Sequence, residues 1–336
     1  MSGQRPDGRL WLGTYTGDQG DGRGVYRTRG VPGGTIEPPA LAAEAPKPSY
    51  LALHPGGRVL YTVEELADGR ITAYRVEDGG GLTGLGTRAV PAEPCHLSVS
   101  PDGAHLLVAC YGPGVLGLQR LDADGGFDGE PALWQGAGTG PVAGRQEGPH
   151  AHQTLWTPGG IVLSTDLGAD RIHAFRVRGG ALVPVGENPL PAGYGPRHLA
   201  LHPSGHVFAM MELAPRLLVL RPRDSHAELD IVGEYVRAEG SGAAVALGAG
   251  GAHLYASTRG ADVVGTYRVT SGGAALEHLG DVPSGGAGPR DLEVDGDRLY
   301  VANEQGGTVA AFDLDPLPVP AGPPAPAPTP VCVLAG

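Results

Sequence analysis

Apolar residues in this chain occur in short runs that recur with a long period. Residues 149–177, PHAHQTLWTPGGIVLSTDLGADRIHAFRV, contain two histidines, a run ending in a Thr-Pro-Gly-Gly turn, a second run ending in Asp166, and a third run. Equivalent units begin near residues 48, 94, 149, 196, 242 and 289, so the spacings are 46, 55, 47, 46 and 47. A period of this length indicates a repeat architecture.

Each unit has the composition of β-strands. The runs are rich in Val, Leu, Ile, Tyr and Thr and are separated by Gly, Pro and Asp turns, whereas helical spacing of apolar residues is absent. Four strands per unit at this period predict the blades of a β-propeller. Six units occupy residues 48 to about 315, and residues 10–30 supply strands for one more. We therefore predict an all-β, seven-bladed propeller.

The two ends of the chain predict how the ring closes. A propeller has to remove its open sheet edges, and residues 331–334 form a short β-type run after a proline-rich segment at 316–330. We predict that this run is a strand in the blade of residues 10–30, and that the prolines form a stiff surface connection. The alternative is a disordered tail. The whole chain, residues 1–336, is then one domain.

Composition limits the partners and the location. The 336 residues carry a net charge of -12 and no basic stripe, which argues against nucleic acid and anionic membranes as partners. No apolar stretch has the length of a signal peptide or a membrane span, and three scattered cysteines give no disulfide framework. We therefore expect a soluble cytoplasmic protein. Lys47 is the only lysine, so a fixed positive charge in a site has to come from arginine.

Polar residues recur at two positions of the unit that belong to the same end of a blade, because consecutive strands alternate in direction. The loop leading into the first strand carries Cys95, His96, His150, His152, Arg197, His198, Arg290 and Asp291. The loop after the second strand carries Glu64, Glu65, Tyr111, Asp166, Glu212, Arg259, Asn303 and Glu304. We expect a site on this rim, since charged groups at a concave mouth are costly to desolvate without a partner or ligand.

The turns at the other end of the units are structural in type. They have the sequences HPGG, SPDG, TPGG and HPSG, which favour β-turns. We therefore interpret His54 and His202 as residues that pack into turns.

The histidines of the rim allow several interpretations. His150 and His152 are two residues apart, so on a strand they face the same way. Such a pair serves acid–base catalysis, hydrogen bonding within a loop or metal binding, and no third metal ligand stands at a recognisable spacing. The neighbours Cys95 and His96 would point to opposite sides of a strand, so we expect no Cys-His dyad and interpret Cys95 as a small buried filler.

Three arginines, Arg197, Arg259 and Arg290, come from successive units of this acidic chain. Convergent guanidinium groups predict a small anionic substrate, a carboxylate or a phosphate, held by forked hydrogen bonds. The alternative is pairing with an acidic residue, such as Arg290 with Asp291 or Arg197 with Glu212.

Carboxylates end the second strand of several units. Glu212 is either an acid–base group or a charge partner of an arginine, and Glu64 and Asp166 at equivalent positions have the same two interpretations. No Gly-x-Ser-x-Gly elbow, His-Glu-x-x-His helix or phosphate loop occurs in the sequence.

Several segments resemble the lactonase family of seven-bladed propellers, which includes the bacterial propeller type of 6-phosphogluconolactonase and the fungal 3-carboxy-cis,cis-muconate cyclase. They are PSYLALHPGGRVLYTVEE, PCHLSVSPDGAHLLVACYG, GPHAHQTLWTPGG with STDLGADRIHAFRV, GPRHLALHPSG and GPRDLEVDGDRLYVANEQGGTVAAFDLD. The resemblance implies a site without metal or cofactor that acts on lactones or their ring-opened acids. Its catalytic group would be His150, Arg197, Glu212 and Arg259. The unit near residue 242 departs from the pattern, because it lacks the usual Pro-x-His or Pro-x-Asp lead.

The residues and the resemblance together predict a lactone hydrolase for a substrate such as 6-phosphogluconolactone. Arg197 and Arg259, with Arg290 in support, would hold the anionic group and stabilise the oxyanion. His150 or Glu212 would deprotonate the water, and the other would protonate the leaving alkoxide. The other rim residues expected to bind substrate are His152, His198, His96, Tyr111, Asp166 and Glu64. The alternatives are a cyclase or isomerase, including a tailoring enzyme on a specialised metabolite, and a non-catalytic propeller that binds a ligand or protein.

Overall fold

The structure, a computed structural model, describes residues 8–31 and 35–336. Within these residues the chain forms 29 β-strands, three single-turn 3-10 helices (Gly17–Gln19, Ala249–Gly251 and Ser271–Gly273) and no α-helix. The strands are β1 Arg9–Thr14, β2 Gly24–Arg29, β3 Ala40–Glu44, β4 Leu51–Leu53, β5 Val59–Glu64, β6 Arg70–Val76, β7 Leu82–Ala89, β8 Pro94–Val99, β9 His105–Cys110, β10 Val115–Leu121, β11 Phe127–Gln135, β12 Ala151–Trp156, β13 Val162–Asp166, β14 Arg171–Arg178, β15 Ala181–Pro189, β16 Pro196–Leu201, β17 Val207–Met211, β18 Arg216–Pro222, β19 Leu229–Val236, β20 Ser241–Leu247, β21 His253–Arg259, β22 Val263–Thr270, β23 Ala275–Pro283, β24 Pro289–Asp295, β25 Arg298–Asn303, β26 Thr308–Asp315, β27 Leu317–Pro320, β28 Ala325–Pro326 and β29 Pro330–Ala335.

The strands form seven antiparallel sheets, one for each predicted blade. One sheet contains β29, β1, β2 and β3 in that order, and five follow the chain as β4–β7, β8–β11, β12–β15, β16–β19 and β20–β23. The seventh contains β24–β27, with β28 paired to β26. These sheets confirm the prediction of an all-β chain with seven blades.

The turns between the first and second strands explain why the apolar runs end where they do. The amide of Gly160 donates to the carbonyl of Thr157 at 3.0 Å. Gly160 has a φ of 68°, a conformation that glycine adopts without strain. His54 and His202 pack into two equivalent turns, as predicted. Their ring Nδ1 atoms accept hydrogen bonds from the amide of Gly56 at 3.0 Å and from that of Ser204 at 3.1 Å, respectively.

The described chain divides into two compact units. The His150 unit consists of Ala45–Arg197 and Pro222–Leu229, and the Glu212 unit consists of the other described residues. The prediction of one domain over residues 1–336 stays a prediction, and residues 1–7 and 32–34 of that range lie outside the described residues.

The core of the His150 unit lies between neighbouring sheets. Leu106 and Val108 on β9 pack with Tyr61, whereas Leu107 packs on the opposite side with Phe175. Because successive side chains of a strand point to opposite faces, a strand that is covered on both faces has to be apolar at every position. This burial explains why the second strand of a unit, HLLVAC in β9, is almost continuously apolar.

The Glu212 unit contains both ends of the described chain in one sheet. Strand β29 pairs antiparallel with β1, from Leu10 opposite Ala335 to Gly13 opposite Cys332. The prediction of a shared terminal blade is confirmed, and the disordered tail is wrong. The strand is slightly longer than the predicted 331–334.

The proline-rich segment 316–330 differs from the prediction. It contains β27 and β28, and both pair with β26 instead of only connecting two blades. A proline lacks the amide hydrogen that an inner strand would need, so an outer strand position suits this segment.

Candidate active site

The first strands of three sheets share a β-bulge at the predicted rim. The register shifts between Pro94 and His96 in β8, between Ala151 and Gln153 in β12, and between Pro289 and Asp291 in β24. The extra residues are therefore Cys95, His152 and Arg290. A bulge redirects side chains locally, so the simple alternation that placed His150 and His152 on the same side does not hold here.

The imidazole of His150 lies against Tyr111 with one nitrogen fixed. The two rings stack with centroids 4.3 Å apart and planes at 8°. His150 Nδ1 is 2.8 Å from the carbonyl oxygen of Tyr111. A carbonyl only accepts hydrogen bonds, so Nδ1 carries the hydrogen and the neutral ring has its lone pair on Nε2. Nε2 makes no hydrogen bond to any residue within the described ranges.

Asp166 holds the loop that carries His150. Its Oδ1 accepts hydrogen bonds from the amides of His150 at 2.8 Å and Ala169 at 3.0 Å, and its side chain is buried. His173 Nε2 lies 3.6 Å from Oδ2. These contacts fix the backbone of His150, and the predicted role of Asp166 in substrate binding stays a prediction.

His152 lies in an edge-to-face arrangement with the same tyrosine. The ring centroids of Tyr111 and His152 are 6.0 Å apart at 86°, so both histidines lie around one aromatic ring. The Cys95 thiol points at the carbonyl of His152, with Sγ 3.4 Å from the oxygen, and packs beside a core cluster. Cys95 is therefore a packing residue as predicted, although it is only half-buried.

His96 and Arg197 lie in the same unit and influence each other electrostatically. Burial, and secondly the charge of Arg197, lower the pKa of His96 to about 3. Its Nδ1 accepts a weak hydrogen bond from the amide of Thr154 at 3.4 Å, and Tyr50 lies 4.2 Å away between ring centroids. His96 is thus neutral near pH 7. Arg197 is 4% exposed, and its carbonyl accepts a hydrogen bond from Thr165 at 2.9 Å.

Glu64 is held by its own blade. The hydroxyl of Thr72 donates to its Oε1 at 2.8 Å, and Arg70 lies 3.9 Å from its Oε2. These contacts match the charge-partner interpretation of Glu64, and its predicted role in substrate binding stays a prediction.

In the Glu212 unit, Glu212 pairs with an arginine that the sequence also predicted for the site. Arg259 Nη2 lies 3.2 Å from Glu212 Oε2 and also donates to the carbonyl of Gly242 at 3.3 Å. The carboxylate is buried and the guanidinium is largely buried. In a buried pair of this kind the attraction between the two groups offsets part of the cost of removing them from water.

Arg290 is held by Glu304 and Tyr15. Its Nη1 lies 3.1 Å from Glu304, its Nη2 donates to the Tyr15 hydroxyl at 2.6 Å, and the guanidinium lies 5.0 Å from the centre of that ring. The predicted alternative of a paired arginine thus holds with a different partner. Asp291 instead accepts the amide of Val333 at 3.0 Å. His198, at the start of β16, is buried.

Arg237 is a site residue that the sequence did not identify. It is buried, and its guanidinium donates to the carbonyls of Met211 and Ala214 on either side of Glu212. The only signal in the sequence was an arginine in the loop before the atypical unit near residue 242.

The described residues were searched for metal-ligand groups and for helices that could span a membrane. Within residues 8–31 and 35–336 we find no group of three or more His, Cys, Asp or Glu side chains arranged to hold a metal ion. No helix in the same ranges combines the length and the apolar character that crossing a bilayer requires.

The chain is similar to a family of known proteins along nearly its whole length. The family model described as Lactonase, 7-bladed beta-propeller matches residues 9–335. The 6-phosphogluconolactonase of Bacillus subtilis is 28% identical over 320 residues, which cover 91% of this chain and 90% of the relative.

Two solved structures are similar along nearly their full length. A protein from Lactobacillus plantarum has a TM-score of 0.91 at 27% identity, covering 97% of this chain and 98% of that chain. The periplasmic gluconolactonase of Pseudomonas aeruginosa has a TM-score of 0.86 at 25% identity, with coverage of 97% and 98%. Because this neighbour is periplasmic, the cytoplasmic location stays a prediction. These similarities support lactone hydrolysis on a small substrate, and the chain belongs to the lactonase family of seven-bladed β-propellers.

Proposed function

We propose that this protein hydrolyses a sugar-acid lactone with His150 Nε2 as the general base. The observation that carries the proposal is the fixed Nδ1–H of His150, bonded to the Tyr111 carbonyl at 2.8 Å. This bond leaves the basic nitrogen on the opposite side of a half-buried ring. General acid–base catalysis needs such an orientation, because the base has to lie within hydrogen-bond reach of the water it deprotonates.

In the proposed reaction, Nε2 accepts a proton from water while the water oxygen attacks the lactone carbonyl. The tetrahedral oxyanion then collapses, the ring C–O bond breaks, and the imidazolium returns its proton to the leaving alkoxide. The product is the ring-opened hydroxy acid. Asp166 contributes by holding the His150 amide, and Tyr111 contributes by stacking on the ring.

Arginine supplies the proposed recognition of an anionic substrate. Arg197 is buried, and its charge acts on His96 in the same unit. A substrate carboxylate or phosphate that meets a buried guanidinium makes charge-assisted hydrogen bonds, which are stronger than neutral ones. His96, His152 and Tyr111 are proposed as contacts for the sugar part of the substrate.

Glu212 and Arg259, which pair within the Glu212 unit, are also proposed as catalytic groups. Glu212 is proposed as a second acid–base group, and Arg259 as a guanidinium that stabilises developing negative charge. Their 3.2 Å pairing holds the guanidinium beside the carboxylate. Arg290 and His198 are proposed as binding residues, with Arg290 limited by its bonds to Glu304 and Tyr15.

The test compares two lactones that differ only by a phosphate. Acid release from 6-phosphoglucono-δ-lactone and from glucono-δ-lactone is followed above the spontaneous rate for wild type, Arg197→Met and Arg120→Met. We expect the phosphorylated lactone to be the better substrate. Arg197→Met should lower its kcat/KM by about 10- to 100-fold, the value of one lost charged contact.

Arg120 is the matched control, because it pairs with Asp128 on an exposed strand of the same unit. Arg120→Met should keep wild-type activity. Failure of the folded wild type to accelerate either lactone would contradict the proposal and favour cyclisation of another acid, or binding without chemistry.

A further inference from the structure

Arg237 occupies the connection between β19 and β20, and its guanidinium is enclosed by the protein. The residue is 5% exposed, although it carries the largest charged side chain available to a protein. Burying an arginine is costly unless its donors are satisfied. Three of the four hydrogen bonds from the guanidinium, and one from the Arg237 amide, go to oxygen atoms of the segments that carry Glu212 and Arg259.

The first set of contacts fixes the loop that carries Glu212. Arg237 Nη2 donates to the carbonyl of Met211 and to that of Ala214, both at 2.9 Å. The Arg237 amide donates to the carbonyl of Pro215 at 3.2 Å. These three acceptors flank Glu212: Met211 ends β17, and Ala214 and Pro215 lie in the short connection to β18. A single residue therefore determines the course of the backbone on both sides of the carboxylate.

The second set of contacts reaches the strand that carries Arg259. Arg237 Nη1 donates to the hydroxyl of Thr258 at 3.2 Å, and to the carbonyl of Ala238 at 3.0 Å. Thr258 directly precedes Arg259. The guanidinium thus bridges the two loops whose side chains form the ion pair.

Gly242 shows how closely these parts approach. A Cβ added to Gly242 would lie 2.2 Å from the Met211 carbonyl and 2.9 Å from Arg237 Nη2. The Gly242 carbonyl also accepts the bond from Arg259 Nη2. Close packing therefore requires glycine at position 242, because a residue with a side chain would displace Arg237 or the Glu212 loop.

The charge of Arg237 acts on the same pair. Burial lowers the pKa of Arg237 to about 10. Tyr267, Glu239 and, least, Glu212 oppose this shift, whereas Arg259 adds to it. Arg237 therefore stays protonated near neutral pH. It attracts the Glu212 carboxylate and repels the Arg259 guanidinium.

We propose that Arg237 is a positioning residue, which sets both the geometry and the ionisation of the Glu212–Arg259 pair. This inference rests on the catalytic role proposed above for that pair. Arginine suits the task because its planar fork serves carbonyls in several directions, whereas the ammonium group of lysine is a compact charge on a flexible stem.

The first experiment needs no substrate. The Glu212 carboxyl is titrated by carbon NMR in wild type, Arg237→Met and Arg268→Met, with Glu212→Gln to assign the signal. Arg268 is the matched control, because it forms an exposed pair with Glu277 in the same unit. Removal of the Arg237 charge should raise the titration midpoint of Glu212 by about one pH unit, and Arg268→Met should leave it unchanged. A folded Arg237→Met with the wild-type midpoint would overturn the inference.

The second experiment separates geometry from charge. Arg237→Lys keeps a positive charge but cannot bind the Met211 and Ala214 carbonyls and the Thr258 hydroxyl together, so we expect the wild-type midpoint of Glu212 and a kcat/KM about tenfold lower. Thr258→Val removes one acceptor and should lower kcat/KM by a few-fold. A residue that is only structural would lower stability in both variants while leaving kcat/KM per folded molecule unchanged, and that result would also overturn the inference.

These experiments remain decisive if Arg237→Met fails to fold, because Arg237→Lys and Thr258→Val then carry the test. They also distinguish two failures. If wild type hydrolyses no lactone while Arg237→Met still shifts the Glu212 midpoint, the proposed function fails and the positioning role stands. If wild type is active and neither the midpoint nor kcat/KM responds to any of the three variants, only the positioning role fails.

Discussion

His150 and His54 lie at opposite ends of the sheets in the His150 unit, and their ring nitrogens are used in opposite ways. His54 accepts the Gly56 amide at Nδ1, and its Nε2 lies 3.3 Å from the carbonyl of Gly103, so both nitrogens bind the backbone. His150 donates from Nδ1 to the Tyr111 carbonyl and leaves Nε2 without a partner among the described residues.

This difference shows that a histidine is not a candidate base by its residue type alone. The hydrogen bond at one nitrogen decides where the lone pair of the other nitrogen lies. In a β-turn both nitrogens stabilise the turn, whereas in the loop leading to β12 one nitrogen anchors the ring and the other stays available for chemistry.

The largest expected effect comes from replacing His150. His150→Gln removes the proposed base, so kcat/KM for lactone hydrolysis should fall by about 100- to 10,000-fold, the usual contribution of a general base. His54→Gln serves as the control and should keep wild-type kinetics. Equal loss in both variants would mean that the two histidines do not differ in role.

The next effect concerns His96, an imidazole that is neutral because it is buried beside Arg197. Its pKa is about 3 in the folded protein and about 6.5 when unfolded, so the unfolded state binds the proton more readily. The stability from His96 is therefore full above pH 6.5 and is lost as the pH falls toward 3. Between pH 6.5 and 4 we expect a loss of about 3 kcal/mol in the free energy of unfolding.

Urea unfolding across this pH range measures the effect. His96→Gln has no group to titrate, so its stability should fall less steeply than that of wild type. Parallel pH curves for the two proteins would show that His96 is not held neutral by the fold.

A smaller effect tests how His150 is held. Asp166→Ala leaves the amides of His150 and Ala169 without their acceptor, so the free energy of unfolding should fall by about 2 kcal/mol and kcat/KM by about tenfold. Asp166→Asn keeps an acceptor oxygen and should lose less of both. If the alanine variant has wild-type kinetics, Asp166 does not orient the base.

The smallest effect belongs to the turn histidine. His54→Ala removes the acceptor of the Gly56 amide in a partly exposed turn, so we expect a stability loss of about 1 kcal/mol and unchanged kcat/KM. Thermal unfolding beside the lactone assay gives both quantities, and lower kcat/KM in this variant would place His54 nearer to the chemistry than its contacts indicate.

Much of the fold could be predicted because it depends on local and periodic signals. The turn at Thr157 to Gly160 and the continuous burial of β9 follow from consecutive residues in the sequence, and the period of about 46 residues predicts the number of blades. The closing strand β29 was predictable because an open edge needs a partner. The pairing of β27 and β28 with β26 was not, since prolines alone do not indicate which edge they meet.

The candidate site was harder to predict, because its geometry depends on contacts between distant segments. The sequence selected His150 and Glu212 by their place in the unit. It could not predict the bulge at His152, the bond from His150 to a carbonyl 39 residues away, or the role of Arg237. Those features depend on backbone oxygen atoms, and every residue type carries the same backbone oxygen.

The most direct test of this account is the tautomer of His150, measured by long-range proton–nitrogen NMR of the imidazole at a pH where the ring is neutral. We predict that His150 carries its hydrogen on Nδ1, and that His54 in the same spectrum carries its hydrogen on Nε2. Each signal is assigned by its loss in the corresponding glutamine variant. A His150 ring protonated on Nε2 would contradict the account, because the proposed base would then have no lone pair to offer.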